Sequence, residues 1–135
     1  MNAAVLDIDQ LPHFSFGATP QEADGLLALV LEGKKTATCG PLFEYVNEGA
    51  AIPKPGKKSV ALDGAGNPRC VLETTEVTQK KFTEVDAAFA YDEGEDDRTL
   101  ESWRRIHEEF FRRVTGFSPD MILVCERFRV VERLS

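Results

Sequence analysis

The side chains best suited to chemistry are concentrated between Gly33 and Gly40, where the chain reads Gly-Lys-Lys-Thr-Ala-Thr-Cys-Gly. The lysines could bind phosphate, and the threonine hydroxyls could donate and accept hydrogen bonds. A glycine at each end would let the backbone turn and approach a ligand closely. The same pattern is also typical of a helix that ends at Gly33 and leads into an edge strand with solvated lysines. The stretch alone leaves both interpretations open.

The geometry of this stretch depends on where its strand begins. On a regular strand, residues two apart share a face, so Thr36 and Thr38 would lie opposite Lys35 and Ala37. A turn within the strand would instead allow Lys35 and Thr38 to converge. A helix C-terminus directly before the stretch carries partial negative charge, so any affinity for phosphate must come from the lysines themselves.

Apolar spacing predicts two main helices. One covers about residues 20–32, with Thr19 as its N-cap, and the longer one covers about residues 100–114. Each carries apolar residues three and four positions apart, which places them on one face. A shorter helix is predicted over residues 84–91, with Thr83 as its cap.

Strand-like segments occupy much of the remaining chain. Residues 58–62 and 69–78 predict a hairpin joined by a glycine-rich loop, and the apolar run from Met121 predicts one long final strand. Residues 41–56 are interpreted as a connection. This order predicts a single α+β domain over residues 1–135, in which several short strands and one long strand would suit a small barrel.

The composition narrows the class of protein. With 135 residues, 42% of them hydrophobic and 29% charged, the chain fits one globular domain with one core. It has no apolar run long enough to cross a membrane, and its acidic start does not match a signal peptide. Three widely spaced cysteines form neither a disulfide framework nor a CxxC zinc pattern, and there are only two histidines. We therefore expect a cytoplasmic protein without a cofactor or a dedicated metal site.

The charge distribution limits the partners. The net charge of −7 argues against duplex DNA, because phosphate contacts supply most non-specific affinity for nucleic acid. From Lys34 to Lys81 the chain has eight basic and five acidic residues, whereas from Glu84 to Glu101 it has eight acids and one arginine. This polarity is compatible with a local basic surface that binds a nucleotide or a short single strand.

Three motifs together resemble a known family. They are the Gly-Lys-Lys-Thr-Ala-Thr stretch, residues 93–107 reading Glu-Gly-Glu-Asp-Asp-Arg-Thr-Leu-Glu-Ser-Trp-Arg-Arg-Ile-His, and residues 120–128 reading Asp-Met-Ile-Leu-Val-Cys-Glu-Arg-Phe. The pattern is similar to that of a bacterial subgroup of the ASCH domain, within the PUA-like superfamily, and extends over about residues 14–132. The resemblance implies an α+β fold, a small PUA-like β-barrel with flanking helices and a cleft between them.

The resemblance also implies a role directed at RNA or nucleosides. Members of the family have been assigned RNA binding, single-strand ribonuclease activity and hydrolysis of acetylated cytidine. The amidohydrolase branch uses a lysine, a threonine three residues later and a glutamate, which match Lys35, Thr38 and Glu93. That branch is shorter and lacks the Trp103 and His107 helix pattern, so the resemblance leaves the substrate open.

The three matched residues fit two reactions. In amide hydrolysis, Thr38 would be the nucleophile, Lys35 its activator or an oxyanion stabiliser, and Glu93 the acid/base. In RNA cleavage, Lys35 would stabilise the pentavalent phosphate, and Glu93 or His107 would deprotonate the 2′-hydroxyl. This cleavage would require no metal.

Seven further residues are candidates for contact with the substrate: Lys34, Tyr45, Lys54, Arg98, Trp103, His107 and Ser118. Tyr45 or Trp103 could stack on a base. Trp103 and His107 could equally be packed in the core, and Ser118 could simply form a turn. The leading interpretation is a hydrolase of single-stranded RNA. The alternatives are an amidohydrolase of a nucleoside such as N4-acetylcytidine and a non-catalytic RNA or nucleotide binder, with a monomer and a homodimer both left open.

Overall fold

The computed structural model describes residues 7–134. In chain order the elements are β1 (His13–Phe14), α1 (Pro20–Leu31), β2 (Ala37–Pro41), α2 (Leu42–Glu48), β3 (Lys58–Leu62), β4 (Pro68–Lys81), α3 (Ala87–Glu93), α4 (Leu100–Val114) and β5 (Ile122–Arg133). Short 3₁₀ turns cover Ile8–Gln10 and Phe82–Glu84. None of the helices in this range has the length and apolar character needed to cross a membrane.

The five strands form one sheet in the order β1-β3-β4-β5-β2. β1 is parallel to β3, and every other neighbouring pair is antiparallel. Within the described part of the chain, the edge strands β1 and β2 do not pair with each other, so the sheet is not strictly closed. The predicted α+β class is confirmed, and the sheet with its flanking helices is compatible with the expected PUA-like barrel.

The long strands β4 and β5 connect two hydrophobic clusters. Their register runs from Cys70 opposite Arg133 to Lys81 opposite Ile122, with two irregularities that fit β-bulges and allow the ribbon to bend. At one end, Leu27 of α1 packs with Phe128 in one cluster. At the other end, helices α3 and α4 cover a second cluster. Phe16 of the first cluster and Phe111 of the second line one cavity, which belongs to the candidate site.

The sequence predicted the long elements well and two short helices poorly. The helices predicted over residues 20–32 and 100–114 correspond to α1 and α4, and the long final strand is β5. The helix predicted over residues 84–91 was wrong at its start, because Asp86 Oδ1 caps α3 by accepting from the Phe89 N–H at 2.9 Å. Helix α2 was missed within the predicted connection, because it has seven residues and no side-chain N-cap.

The segment before β2 is tied to the end of α3. The Thr36 N–H donates to the Asp92 carbonyl at 2.7 Å, and Arg98 Nη2 donates to the Lys34 carbonyl at 3.2 Å. Gly94 follows α3 with a φ of 75°, and a Cβ there would lie 2.5 Å from the Lys34 carbonyl oxygen. This close approach of two backbones brings residues 34–36 against the end of α3.

Replacing Gly94 with alanine should destabilise the protein much more than the same change at Gly33. Both glycines have positive φ, but a Cβ at Gly33 would meet nothing within 4 Å. We expect Gly33→Ala to lower the free energy of unfolding by about 1 kcal/mol, from backbone strain alone. Gly94→Ala should cost about 3 kcal/mol or more, because a steric clash adds to that strain. Urea denaturation measures both values, and equal costs would contradict the close approach.

Candidate functional site

The centre of the candidate site is a buried ion pair between Lys35 and Glu93, whose residues are 2% and 1% exposed. Lys35 Nζ lies 2.8 Å from Glu93 Oε1, 3.1 Å from Glu95 Oε2 and 3.3 Å from the Glu93 carbonyl oxygen. An ammonium group has three protons, so these three acceptors satisfy it completely. The lysine is therefore held in one place by protein acceptors.

Four elements bring these groups together. Lys35 lies between α1 and β2, and Glu93 is the last residue of α3, where Gly94 ends the helix in a left-handed conformation. Trp103 and His107 lie one turn apart on α4 and therefore face the same side. Both side chains reach the carboxylate of Glu93.

The second carboxylate oxygen of Glu93, Oε2, contacts side chains of α4. Trp103 Nε1 donates to Glu93 Oε2 at 3.1 Å, and His107 Nε2 lies 3.5 Å from the same oxygen. His107 Nδ1 lies 2.9 Å from the Trp103 carbonyl oxygen, which can only accept, so Nδ1 carries a proton. The two rings stack with centroids 4.3 Å apart. These contacts fix the orientation of the imidazole and aim its Nε2 at the carboxylates.

The charges at this centre stabilise one another. Burial lowers the pKa of Lys35, but the negative charges of Glu93 and Glu95 outweigh burial and hold that pKa above its usual value. Burial raises the pKa of Glu93, but the charges of Lys35 and His107 hold it well below its usual range. At neutral pH Lys35 is therefore an ammonium ion and Glu93 a carboxylate. These states favour Lys35 as a stabiliser of developing negative charge rather than as a base.

Beside this ion network is a cavity of about 310 Å³, here called the inner chamber. Its polar lining includes Lys35, Thr38, Cys39, Glu93, Glu95 and His107. A second cavity of about 450 Å³, the outer chamber, shares Thr38 and Cys39 with it and is also lined by Tyr45, Lys57 and Glu126. The two chambers are adjacent, with residues of strand β2 lining both, and are together called the cleft.

The structure brings five of the predicted site residues to this cleft. Lys35, Thr38, Glu93 and His107 line the inner chamber, and Tyr45 lines the outer one. The roles assigned to them remain predictions. Trp103 is 3% exposed and lines neither chamber, so it acts on the site through its hydrogen bond to Glu93 and is not available to stack on a base.

Four other predicted residues do not line either chamber. Lys34 is exposed and pairs with Glu32 at 3.6 Å, and Lys54 is also exposed. Arg98 donates hydrogen bonds to the carbonyls of Lys34 and Tyr91, so it holds the backbone before β2 against that of α3. Ser118 donates to Asp120 Oδ1 at 2.5 Å in the turn before β5, as the turn alternative predicted.

Among the reactive side chains of the inner chamber that adjoin Lys35 and Glu93, sequence reasoning missed Glu95 and Cys39. Glu95 belongs to a loop with several acidic residues, and the composition of that loop does not show which carboxylate points inward. Burial and the nearby charge of Glu93 raise the pKa of the Cys39 thiol well above its usual value. The donor atoms of Cys39, Glu93 and His107 lie within 4.8 Å of one another, a grouping that residue spacing could not reveal.

The comparisons with known proteins agree on one family. A family model described as the ASCH domain matches residues 13–132. A crystal structure of protein EF3133 from Enterococcus faecalis V583, described as belonging to family DUF984, is 35% identical with a TM-score of 0.84. That match covers 95% of this chain and 80% of the other.

A second solved structure gives the same result. The ASCH domain from Lactobacillus crispatus JV V101 is 33% identical with a TM-score of 0.84, and the match covers 90% of this chain and 80% of the other. The curated proteins contain no significant match. The resemblance inferred from the motifs is confirmed at the level of the family.

Replacing Glu93 with glutamine should strongly destabilise the fold. The change leaves Lys35 buried with less compensating charge, and breaking a buried ion pair costs about 3–5 kcal/mol. Glu108→Gln on the exposed side of α4 is a matched control, because its pair with Arg112 lies at the surface. We expect that control to stay within about 0.5 kcal/mol of the wild type in urea denaturation. A cost for Glu93→Gln as small as that of the control would contradict the central role of the buried pair.

The stability that His107 supplies should decline with rising pH. Burial lowers the pKa of His107, but the charges of Glu93 and Glu95 outweigh it, so the folded pKa lies above the ordinary 6.5. The imidazolium therefore stabilises the fold fully below pH 6.5, and this contribution is lost as the pH rises through the folded pKa. The difference in unfolding free energy between the wild type and His107→Gln should shrink from pH 6 to pH 9. A constant or growing difference would contradict this assignment.

Proposed function

Because this chain belongs to the ASCH domain family, we propose that its cleft binds an unpaired nucleobase, from a nucleoside or from single-stranded RNA, and hydrolyses a bond of that ligand. Proteins of this family are generally thought to bind RNA. The observation that carries the proposal is the ammonium group of Lys35 at the wall of the inner chamber, held between two carboxylates.

The size and lining of the cleft support a ligand of this kind. Its two chambers, of about 310 and 450 Å³, fall within the range of roughly 300–1,000 Å³ that is common for small-ligand sites. Phe110 and Phe111 line both chambers, and Tyr45 lines the outer one. Aromatic side chains provide faces on which an unpaired base can stack, as in other sites for single strands.

The charges of the cleft favour an uncharged ligand over a phosphate-rich one. Its two chambers are lined by six acidic and three basic residues: Glu22, Glu44, Glu93, Glu95, Glu109, Glu126, Lys35, Lys57 and Arg113. Lys35 is already neutralised by its two carboxylate partners. An excess of negative charge repels phosphate, so a base and its ribose suit the cleft better than the backbone of RNA does. This argument favours the amidohydrolase alternative over the ribonuclease.

The residues present can hydrolyse an amide on a nucleobase. The Thr38 hydroxyl oxygen bonds to the amide carbonyl carbon while Glu95, the carboxylate that remains partly exposed, accepts its proton. Protonation of Glu95 weakens its hydrogen bond from Lys35 Nζ, and the N–H released in this way stabilises the oxyanion that forms. Glu95 then returns the proton to the leaving amine as the C–N bond breaks, and water releases the acyl group from Thr38. Glu95 thereby replaces Glu93 in the acid/base role, because Glu93 is fully engaged by its partners.

Replacing Thr38 with valine should abolish deacylation. Thr38→Val keeps the shape of the side chain and removes the hydroxyl, so the rate of release of acetate from N4-acetylcytidine should fall at least about 1,000-fold. Thr36→Val is the matched control, because Thr36 lies outside both chambers and its hydroxyl contacts only the Asp92 carbonyl, at 3.4 Å. The control should retain the wild-type rate.

A parallel incubation with single-stranded RNA separates the alternatives. Cleavage of RNA without deacylation would overturn the amidohydrolase and support the ribonuclease. If neither substrate reacts but cytidine binds with a dissociation constant that Thr38→Val does not change, the protein is a binding module, and the hydrolase proposal fails.

A further inference from the structure

We propose that Cys39, Glu93 and His107 form a zinc-binding site at the wall of the inner chamber. They come from strand β2, helix α3 and helix α4, and 68 positions separate the first from the last. They therefore do not form a metal-binding motif that the sequence would reveal. Their donor atoms lie within 4.8 Å of one another. The proposal does not depend on the hydrolytic reaction, because it concerns binding of the metal ion alone.

The donor types and distances suit Zn²⁺. Thiolate, imidazole and carboxylate are the three ligand classes that zinc uses in proteins, at about 2.3, 2.0 and 2.0 Å. In a tetrahedral site such ligands lie about 3.3–3.8 Å apart. Donor atoms within 4.8 Å of one another therefore need to close by only about 1 Å or slightly more, which side-chain rotation can supply. Mg²⁺ and Ca²⁺ fit less well, since they prefer oxygen ligands.

The surroundings orient these donors as metal sites require. The Nδ1–H of His107 donates to the Trp103 carbonyl, so Nε2 is the nitrogen that can bind the metal ion once its proton has left. Oε1 of Glu93 is occupied by Lys35, so Oε2, which also accepts from the indole of Trp103, is the oxygen that faces His107. Hydrogen bonds to the outer nitrogen of a ligating histidine and to a ligating carboxylate are the usual supports of such sites.

The local charges accommodate a divalent cation beside Lys35. Glu93 and Glu95 supply two negative charges and Lys35 supplies one positive charge. A zinc ion with a Cys39 thiolate adds one positive charge, which makes the group neutral once the thiol proton and the proton on His107 Nε2 have left to solvent. Three protein ligands leave the fourth position open to the inner chamber, as in zinc sites that keep a water molecule or a ligand group.

The test is a titration of metal-free protein with Zn²⁺ alone and with Co²⁺ alone. We expect one equivalent of Zn²⁺ to bind in competition with a chromophoric chelator. Co²⁺ should give the intense absorption of a thiolate-to-cobalt transition. Cys39→Ser should weaken zinc binding more than about 10-fold, because even changes to supporting residues cost 10–100-fold. Cys70→Ser is the matched control, since Cys70 is a buried cysteine in the other hydrophobic cluster, and it should bind as the wild type does.

Three outcomes would overturn the proposal. They are no binding of Zn²⁺ by the wild type, equal binding by Cys39→Ser and Cys70→Ser, and a wild-type Co²⁺ spectrum without the thiolate transition. The first and last of these measurements use the wild type, so a Cys39→Ser protein that fails to fold still leaves two results that can overturn the proposal.

Discussion

The buried ion pair between Lys35 and Glu93 is the interaction on which the rest of this structure depends. Removing a charge from water costs several kcal/mol, and mutual attraction offsets that cost only when every remaining proton and lone pair also has a partner. Here Glu95, Trp103 and His107 supply those partners. Lys35 follows α1, whereas its partners all lie within residues 93–107. The hydrogen bonds that satisfy this pair therefore hold the end of α1 against α3 and α4.

The same constraint prepares the cleft for a ligand. Charges that are held by protein partners need no rearrangement of water when a ligand arrives, and such preorganised groups stabilise developing charge most effectively. Burying these charges costs free energy. The packing of the two hydrophobic clusters, at either end of the β4–β5 ribbon, offsets that cost. Phe16 of one cluster and Phe111 of the other line the inner chamber together with Lys35, so packed side chains of both clusters support that wall.

The sequence predicted those features that depend on local pattern. The helices α1 and α4 and the strand β5 followed from apolar spacing, and the family resemblance singled out Lys35, Thr38 and Glu93, whose roles stay predictions. Predictions failed where a residue was chosen for its charge or type alone. Lys54 was predicted to contact the substrate, but it is exposed and lines neither chamber, whereas Lys57 lines the outer chamber. Glu95 and Cys39 could not be identified from sequence, because their importance arises only from contacts across the fold.

In the proposed function, the charged, buried ammonium group of Lys35 lies directly behind the surface that a nucleobase contacts. Nitrogen-15 NMR of the lysine side chains tests this most directly, since an ammonium group shielded from water gives a distinct, slowly exchanging signal. We predict that the Lys35 signal is visible near pH 8, that cytidine shifts it, and that inorganic phosphate leaves it unchanged. A neutral Lys35, or a signal that responds to phosphate and not to cytidine, would contradict the account.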